Sequence, residues 1–168
     1  MDRGLYVVMG VSGAGKSLIG DRFARALGLS FVEGDELHSP ENVARMSAGI
    51  PLTDDDRTIW LAAIATRLDE AQRAGAGLVV SCSALKRRYR DVLRAGAAAV
   101  QFVYLQGTRE RLEQRLAGRR GHFMPSTLLD SQLAILEPPS PDEHAWVCDI
   151  DETPDAIVAG LVARSRTR

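Results

Sequence analysis

The sequence predicts an α/β fold in which helices cover a parallel β-sheet, and three observations lead to this prediction. Five short apolar runs alternate along the chain with segments whose apolar residues recur at helical spacing. The first apolar run leads directly into a glycine-rich loop, which a helical pattern follows. The length of 168 residues suits one domain, residues 1–168, with a hydrophobic core of its own.

The apolar runs are interpreted as strands and the periodic segments as helices. The predicted strands are Leu5–Met9, Leu29–Val32, Gly77–Cys82, Val100–Leu105 and Ala145–Ile150. Beyond the helix that follows the loop, the predicted helices are residues 54–74, 86–94, 108–118, 126–136 and 154–165. Segment 54–74 is the clearest helix, because Thr53 or Asp54 can cap its start. Its apolar stripe consists of Trp60, Ile64, Leu68 and Ala71.

A phosphate-binding loop follows the first predicted strand. The residues that fit the pattern G-x-x-x-x-G-K-[ST] are Gly10, Val11, Ser12, Gly13, Ala14, Gly15, Lys16 and Ser17. The glycines let backbone N–H groups face an anion, and the start of the next helix favours negative charge. Lys16 places a positive charge near the transferred phosphate, and the Ser17 hydroxyl suits Mg²⁺. The sequence therefore predicts a site for a nucleoside triphosphate.

The composition narrows the class of partner and the compartment. The net charge of −1 gives no general electrostatic case for binding nucleic acid or an anionic membrane. No apolar run has the length of a membrane span, and the N-terminal run of five residues lacks a secretory pattern. Cys82 and Cys148 are too few for a disulfide framework, so buried reduced thiols and a reducing cytoplasm are expected.

Acidic residues follow the second predicted strand, at the edge of the sheet where open α/β folds bind ligands. Glu33 and Asp35 are two positions apart, so an extended backbone would point both carboxylates the same way. One is expected to organise Mg²⁺ and its waters, and the other to orient or deprotonate an attacking hydroxyl. No aspartate ends the third apolar run, which leaves the metal-organising role to Glu33 or Asp35.

Basic residues at three places are candidates for contact with an anionic substrate. Four cations lie within five positions after the third strand, and Lys86 is the nearest of them to the strand end. Arg57 falls in the first turn of a helix, where the dipole disfavours a cation, and this conflict indicates a ligand-facing role. Residues 119–125 carry two arginines and a histidine between helices, a composition typical of lids and of plain surface loops.

The combination of these motifs resembles the gluconate kinases, a branch of the small shikimate-kinase-like phosphate-loop kinases, over nearly the whole chain. Besides the phosphate loop, the matching motifs are Gly34-Asp-Glu-Leu-His38, Asn42-Val-Ala-Arg-Met46, Gly49-Ile-Pro-Leu-Thr-Asp-Asp-Asp-Arg57, Trp60-Leu61, Cys82-Ser-Ala-Leu-Lys86, Tyr89-Arg90 and Arg119-Arg-Gly-His-Phe-Met124. Many unrelated enzymes share a phosphate loop, whereas the motifs between residues 34 and 57 are narrow. One small departure is Leu133, which stands where an aromatic residue is expected.

The resemblance implies ATP-dependent phosphorylation of D-gluconate at its 6-hydroxyl, giving 6-phospho-D-gluconate and ADP. It also implies a three-layer phosphate-loop kinase fold with strand order 2-3-1-4-5, a mobile lid at 119–125 and a homodimer. By this resemblance, Lys16 and Ser17 would serve the phosphates and Mg²⁺, and Asp35 would face the sugar hydroxyl. Of the two acidic candidates, Glu33 is then left to act on the metal through water. Arg115 and Arg119 match the adenine and lid positions, Arg119 with a catalytic role. The residues that match positions around the acid substrate are His38, Arg45, Arg57, Lys86, Arg90 and His122.

Three other interpretations remain open at this stage. A kinase of the same architecture could act on shikimate or adenylyl sulfate, although the motifs between residues 34 and 60 argue against it. A nucleotide-dependent switch protein is a second alternative, but the chain has no Asn-Lys-x-Asp motif for reading guanine. A kinase acting on nucleic-acid ends is the third, and the near-neutral net charge disfavours it.

Overall fold

A five-stranded parallel sheet forms the centre of the computed structural model, which describes residues 3–118 and 127–168. The strands are β1 (Leu5–Met9), β2 (Ser30–Glu33), β3 (Leu78–Ser81), β4 (Gln101–Gln106) and β5 (Trp146–Asp149). Their order is β2-β3-β1-β4-β5, which confirms the order that the resemblance implied. β1 lies in the middle, with Val7 opposite Val80 of β3 and Phe102 of β4.

The helices of the described residues flank this sheet. They are α1 (Lys16–Leu27), α2 (Pro40–Ser47), α3 (Asp54–Arg73), α4 (Arg87–Gly96), α5 (Arg109–Ala117), α6 (Thr127–Ile135) and α7 (Pro154–Ser165). Two short 3₁₀ helices, Gly34–Leu37 and Pro141–Glu143, precede α2 and β5. α1 packs against α7, β2 and β3, while α3 packs against α4 and the central strands. The sheet is thus covered by helices, as a parallel sheet with continuous apolar strands requires.

The core forms where the predicted apolar residues meet. β1 is buried along its whole length, and Tyr6 packs edge-on against Phe23 of α1 with ring centroids 4.8 Å apart. The stripe on α3 is confirmed, because Trp60, Ile64 and Leu68 are all buried. Burying apolar surface on this scale is the main stabilising contribution to a domain of this size.

The predicted elements are confirmed with bounds that shift by at most two residues, and three elements of the described residues were missed. The missed ones are α2 and the two 3₁₀ helices, Gly34–Leu37 and Pro141–Glu143. The start of α2 carries a signal that could have found it, because Ser39 caps the helix by accepting from Asn42 N at 3.1 Å. Pro40 at the first helical position is a second such signal.

Both cysteines are buried and unpaired, as predicted. Within residues 3–118 and 127–168, no helix combines the length and apolar character needed to cross a membrane. The carboxyl ends of β1, β2 and β3 bring three segments together: the phosphate loop, the first 3₁₀ helix and residues 82–86. A hydrogen bond from Gly10 N to Ser83 O, 3.3 Å long, joins the first and third of these.

Candidate active site

The phosphate loop has the backbone geometry that its glycines predict. Gly10, Gly13 and Gly15 have φ values of 152°, 89° and 93°, a region that other residues rarely adopt. A Cβ at Gly10 would lie 3.0 Å from the Leu105 carbonyl oxygen. Gly15 caps α1, so the loop ends at a helix N-terminus. These glycines are needed for the turn, and Gly10 is needed also for close packing against β4.

The loop offers backbone donors to an anion. No hydrogen bond between described residues uses the N–H groups of Gly13, Gly15 or Ser17. In contrast, Ala14 N donates to Val11 O at 3.2 Å within the loop. The Lys16 ammonium donates to the Val11 carbonyl oxygen at 3.0 Å, and the Ser17 side chain is exposed. Unpaired N–H groups at a helix start, beside a lysine, make an anion site.

Two hydrogen bonds and a close backbone contact fix the 3₁₀ helix that carries Asp35. Gly34 N donates to Ser81 Oγ at 3.2 Å, and Trp60 Nε1 donates to Gly34 O at 2.8 Å. A Cβ on Gly34 would lie 1.9 Å from the Ser81 carbonyl oxygen, so only glycine fits here. The neighbouring Glu33 accepts from Ser81 Oγ. Asp35 therefore extends from a turn that is held on both sides.

The structure corrects one detail of the acidic pair. The expectation that Glu33 and Asp35 point the same way assumed an extended backbone through both residues. The 3₁₀ helix begins at Gly34, directly after β2, so the strand alternation stops at Glu33. Sequence reasoning missed this turn because four residues are too few to produce a periodic pattern.

Opposite charges converge on the end of β3. Burial, with a smaller effect of the charge on Asp35, raises the pKa of the Cys82 thiol to about 12. Lys16 and Arg57 act on the same thiol in the opposite direction. Because the effect of a charge weakens with distance, Asp35, Lys16 and Arg57 all lie near this strand end. The phosphate loop, the 3₁₀ helix and α3 thus contribute to one site.

A cavity of about 230 Å³ lies beside this strand end, and it is called the basic cavity below. Its lining consists of Pro51, Leu52, Thr53, Asp54, Arg57, Lys86, Ser131 and Ile135. Arg57 is 8% exposed and donates to Leu52 O at 2.6 Å and to Tyr89 Oη at 3.2 Å. The structure therefore brings two of the predicted basic residues, Arg57 and Lys86, to one cavity.

Asp54 was missed as a site residue. Its carboxylate accepts hydrogen bonds from Tyr89 Oη and from Lys86 Nζ, the latter at 3.3 Å, and it pairs with Arg88 at 2.5 Å. The bond from Tyr89 is the largest cause that holds the pKa of Asp54 below its ordinary value. In the sequence, three consecutive acids indicated only a helix start, because Lys86 and Tyr89, which bond Asp54, lie more than thirty residues away.

His38 and Arg45 have partners inside the protein. The His38 ring is buried and stacks on Trp60 with centroids 4.0 Å apart. Burial, with a smaller effect of Arg57, lowers the pKa of His38 to about 4, so the imidazole is neutral at pH 7. Arg45 Nη1 donates to both carboxylate oxygens of Asp56, at 2.9 and 2.8 Å, and this pair joins α2 to the start of α3.

The placement of Arg90 does not support the predicted contact with the acid substrate. Its side chain is fully buried, does not line the basic cavity, and donates to both oxygens of Glu143 at 2.7 and 3.0 Å. Its remaining donor, Nη1, bonds the Ala84 carbonyl at 2.8 Å. Ala84 has a left-handed φ of 46°, two residues before Lys86. Arg90 therefore supports the turn that carries Lys86, and it is not itself part of the cavity wall.

Arg115 lies against the phosphate loop, as its predicted place on the nucleotide side requires. Its Nη1 donates to Ala14 O at 3.4 Å and its Nη2 to Ile150 O at 2.5 Å. Two other predicted site residues, Arg119 and His122, lie outside the described residues. The predicted lid, residues 119–125, lies outside them as well.

The fold and the loop define a class of protein, the phosphate-loop kinases, and the comparisons with known proteins agree with it. A model of the AAA domain family matches residues 5–139. Gluconokinase from Gluconobacter oxydans (strain 621H) is 47% identical over 156 residues, 93% of this chain and 88% of the relative. Thermoresistant gluconokinase from Escherichia coli (strain K12) is 41% identical over 162 residues, 96% of this chain and 93% of the relative.

A solved structure leads to the same family. The crystal structure of a gluconokinase from Sinorhizobium meliloti 1021 superposes with a TM-score of 0.87 and is 49% identical. The match covers 98% of this chain and 95% of that one. The chain belongs to the gluconokinase family, which confirms the resemblance found in its motifs.

Proposed function

We propose that the protein transfers the γ-phosphoryl group of ATP to the 6-hydroxyl of D-gluconate, giving 6-phospho-D-gluconate and ADP. The observation that carries the proposal is the pairing of a phosphate loop with an adjacent cavity lined by Arg57 and Lys86. A triphosphate and a carboxylate are the two anions that such a site would bind. Membership of the gluconokinase family identifies the acid as gluconate.

The nucleotide side would be formed by the phosphate loop and Arg115. Backbone N–H groups of Gly13, Gly15 and Ser17 would hold phosphate oxygens, and Lys16 would release Val11 O to meet the charge that develops during transfer. Arg115 lies close enough to Gly15 that a Cβ there would be 3.4 Å from Nη1. Arg119 is proposed, from the family motif, as a further cation on the transferring group.

Mg²⁺ would neutralise charge on the β- and γ-phosphates when bound. The residues present fit this ion, because Mg²⁺ takes few protein ligands and keeps several waters and phosphate oxygens. The exposed Ser17 hydroxyl stands at the loop, and Glu33 would act through water from the end of β2. Among the residues that the structure describes, no three His, Cys, Asp or Glu side chains form a cluster able to hold a metal by themselves.

The acceptor side would use the basic cavity for the acid and Asp35 for the hydroxyl. Arg57 and Lys86 outnumber Asp54 among the charged lining residues, so one carboxylate would balance the cavity. Asp35 would orient the 6-hydroxyl and accept its proton as the new O–P bond forms and the bond from the γ-phosphorus to the bridging oxygen breaks. His122 is proposed as a further substrate contact from the family motif.

The other predicted substrate residues are proposed to act through position. His38 supports Trp60, whose indole bonds Gly34 beside Asp35. Arg45 fixes Asp56 at the start of the helix that carries Arg57. Arg90 bonds the turn before Lys86. Each therefore acts on a group proposed to meet substrate through one or two intervening residues.

A coupled ADP-release assay across gluconate, shikimate, glycerate and nucleoside monophosphates tests the function. We expect turnover with gluconate alone, and Lys16→Ala to lower kcat roughly 10²-fold or more because it removes a key electrostatic contact. Turnover of another acceptor in preference to gluconate would overturn the proposal. A homodimer, one domain over residues 1–168 and a cytoplasmic location are proposed with it, and sedimentation velocity tests the first of these.

A further inference from the structure

Helix α6 lies between the two halves of the candidate site. At its start, Leu128 packs in a buried cluster with Met46 of α2 and Leu52, which precedes α3. One turn later Ser131 reaches the basic cavity, and Ile135 lines the same cavity from the last turn. The apolar anchor and the two cavity residues fix this helix against the segment that would hold the acid.

Gln132, on the same helix, contacts the phosphate loop. Ser12 N donates to the Gln132 side-chain oxygen at 2.6 Å, a bond between residues 120 positions apart. Ser12 is 3% exposed, so the donor of this bond is shielded from water, while Gln132 is half-buried. Of the loop N–H groups, Gly10 bonds the turn after β3 and Ala14 bonds the loop itself. Among the described residues, the bond from Ser12 N to Gln132 therefore joins the middle of the loop to the helix that lines the basic cavity.

We propose that Gln132 is a positioning residue that couples the basic cavity to the phosphate loop, so that the acid and the nucleotide raise each other's affinity. The identity of the acid rests on the proposed function. A ligand that packs against Ser131 and Ile135 stabilises α6 in one position, and the Gln132 amide then holds Ser12 N in place. By linkage, a nucleotide that orders the loop stabilises the cavity wall to the same extent.

A neutral amide suits this role better than a carboxylate. Its oxygen accepts from Ser12 N, as a glutamate oxygen would, but it brings no negative charge towards bound phosphates. This difference separates two effects of substitution at one position. Gln132→Met keeps the volume of the side chain and removes the acceptor, whereas Gln132→Glu keeps the acceptor and adds a charge.

The experiment is a set of calorimetric titrations on the full chain with gluconate and with the β,γ-imido analogue of ATP in the presence of Mg²⁺. Each ligand is titrated alone and with the other saturating, so that the ratio of the two dissociation constants gives the coupling. For wild type we expect each ligand to tighten the other about fivefold or more, by equal factors in both directions. Wild-type turnover of gluconate is measured in parallel.

Three variants test the assignment. Gln132→Met should reduce the coupling to within about twofold of none, while thermal unfolding shows that the protein remains folded. Gln132→Glu should retain the coupling but bind the nucleotide analogue more weakly. Asp130→Ala is the matched control on α6, since it removes only a surface pair with Arg109, and it should behave as wild type.

The outcomes separate this inference from the proposed function. Wild type that binds both ligands without coupling, or Gln132→Met that keeps the wild-type coupling, would overturn the role of Gln132 even with normal turnover. Loss of coupling in Asp130→Ala equal to that in Gln132→Met would assign the effect to the helix as a whole and also overturn it. Absence of gluconate turnover by wild type would instead overturn the proposed function.

Discussion

His38 is kept neutral by its surroundings, and this has a consequence for pH dependence. Burial between Asn42 and the Trp60 ring, with Arg57 nearby, lowers its pKa from 6.5 to about 4. Because the folded pKa lies below the unfolded one, the stability contributed by neutral His38 is complete above about pH 6.5 and is lost as the pH falls towards 4.

We therefore predict that the His38 imidazole titrates near pH 4 in the folded protein. An NMR titration of its ring protons measures this directly, with His38→Gln identifying the resonance. Because His38 does not titrate near pH 6.5, the pH profiles of activity for wild type and His38→Gln should have the same shape around that pH. A midpoint at or above 6.5 would mean that the ring is solvated, and the stacked arrangement on Trp60 would then be wrong.

Substitutions at Lys86 and Arg88 form a matched pair that tests how the protein recognises the carboxylate of gluconate. Both pair with Asp54, but only Lys86 lines the basic cavity, and Arg88 is 63% exposed. We predict that Lys86→Met raises KM for gluconate roughly 10- to 100-fold, the value of one charged hydrogen bond. Arg88→Met should change it by less than about threefold, as expected of an exposed pair.

The measurement is steady-state kinetics with gluconate and with sorbitol, the neutral analogue. Loss of the charge at Lys86 should weaken gluconate far more than sorbitol, so the preference for the acid should shrink. Equal effects of the two substitutions, or an unchanged preference in Lys86→Met, would place the carboxylate elsewhere.

Residues were predictable from the sequence where local chemistry marked them. Lys16 and Ser17 follow from the motif, and Arg57 followed from its conflict with the helix dipole. Asp54 and Gln132 were not predictable in the same way, because their roles come from partners that the fold brings together across 35 and 120 positions. Arg90 was assigned through a motif, whereas its burial with Glu143 emerges only from the packing of α4.

At the scale of elements, the strands and the longer helices were predicted, and the shortest helices were not. The strands and longer helices follow from apolar runs and from caps, which local sequence determines. The 3₁₀ helix Gly34–Leu37 has no such signal, since its geometry is imposed by Ser81 on one side and Trp60 on the other. The conformation of the segment that carries Asp35 is therefore determined by tertiary contacts and not by the local sequence.

Gly34 provides the test of that short element. A Cβ would lie 1.9 Å from a backbone oxygen of β3, which cannot move without disturbing the sheet, so Gly34→Ala must displace the 3₁₀ helix. We predict that kcat/KM for gluconate falls roughly 10²-fold, the cost of misplacing a reacting group by about 1 Å. Affinity for the ATP analogue should change little, because the phosphate loop belongs to another element.

Gly160→Ala is the control for this substitution. Gly160 lies within α7, and an added Cβ there meets no atom within 4 Å. Alanine should preserve activity and raise stability by about 1 kcal/mol, the difference in helix propensity. If Gly34→Ala has wild-type kinetics, the 3₁₀ helix can shift without loss of activity, and the role of Asp35 does not depend on the position of that helix.

At the scale of the whole molecule, the segment between α6 and β5 forms hydrogen bonds and ion pairs with α4 and with the turn before it. Glu137 N donates to Leu85 O at 2.8 Å, and Arg87 N donates to the Glu137 carboxylate, also at 2.8 Å. Further along, Glu143 accepts from Arg90 and from Arg94, at a side chain that is 1% exposed. The segment thus fixes α4, and with it the turn that carries Lys86, against the start of β5.

Glu143 makes this connection dependent on pH. Burial alone would raise its pKa, but the bonds from Arg90 and Arg94 outweigh burial and lower the pKa from 4.5 to about 2. Since the folded pKa lies below the unfolded one, its contribution to stability is complete above about pH 4.5 and is lost as the pH falls towards 2. At pH 7 the Glu143 carboxylate is therefore fully ionised in the folded protein.

We predict that Glu143→Gln lowers the free energy of unfolding at pH 7 by about 3–5 kcal/mol, because it leaves the buried Arg90 without a counter-charge. Urea denaturation at pH 7 and pH 3 measures this, and the difference from wild type should narrow at the lower pH because Glu143 there takes up a proton on unfolding, which lowers the stability of the wild type. Asp142→Asn is the neighbouring control, since Asp142 pairs with Arg87 at the surface and its loss should leave the protein close to wild type. If both variants lose the same stability, or if Glu143→Gln keeps its full deficit at pH 3, the charge of the buried pair is not what holds α4 in place.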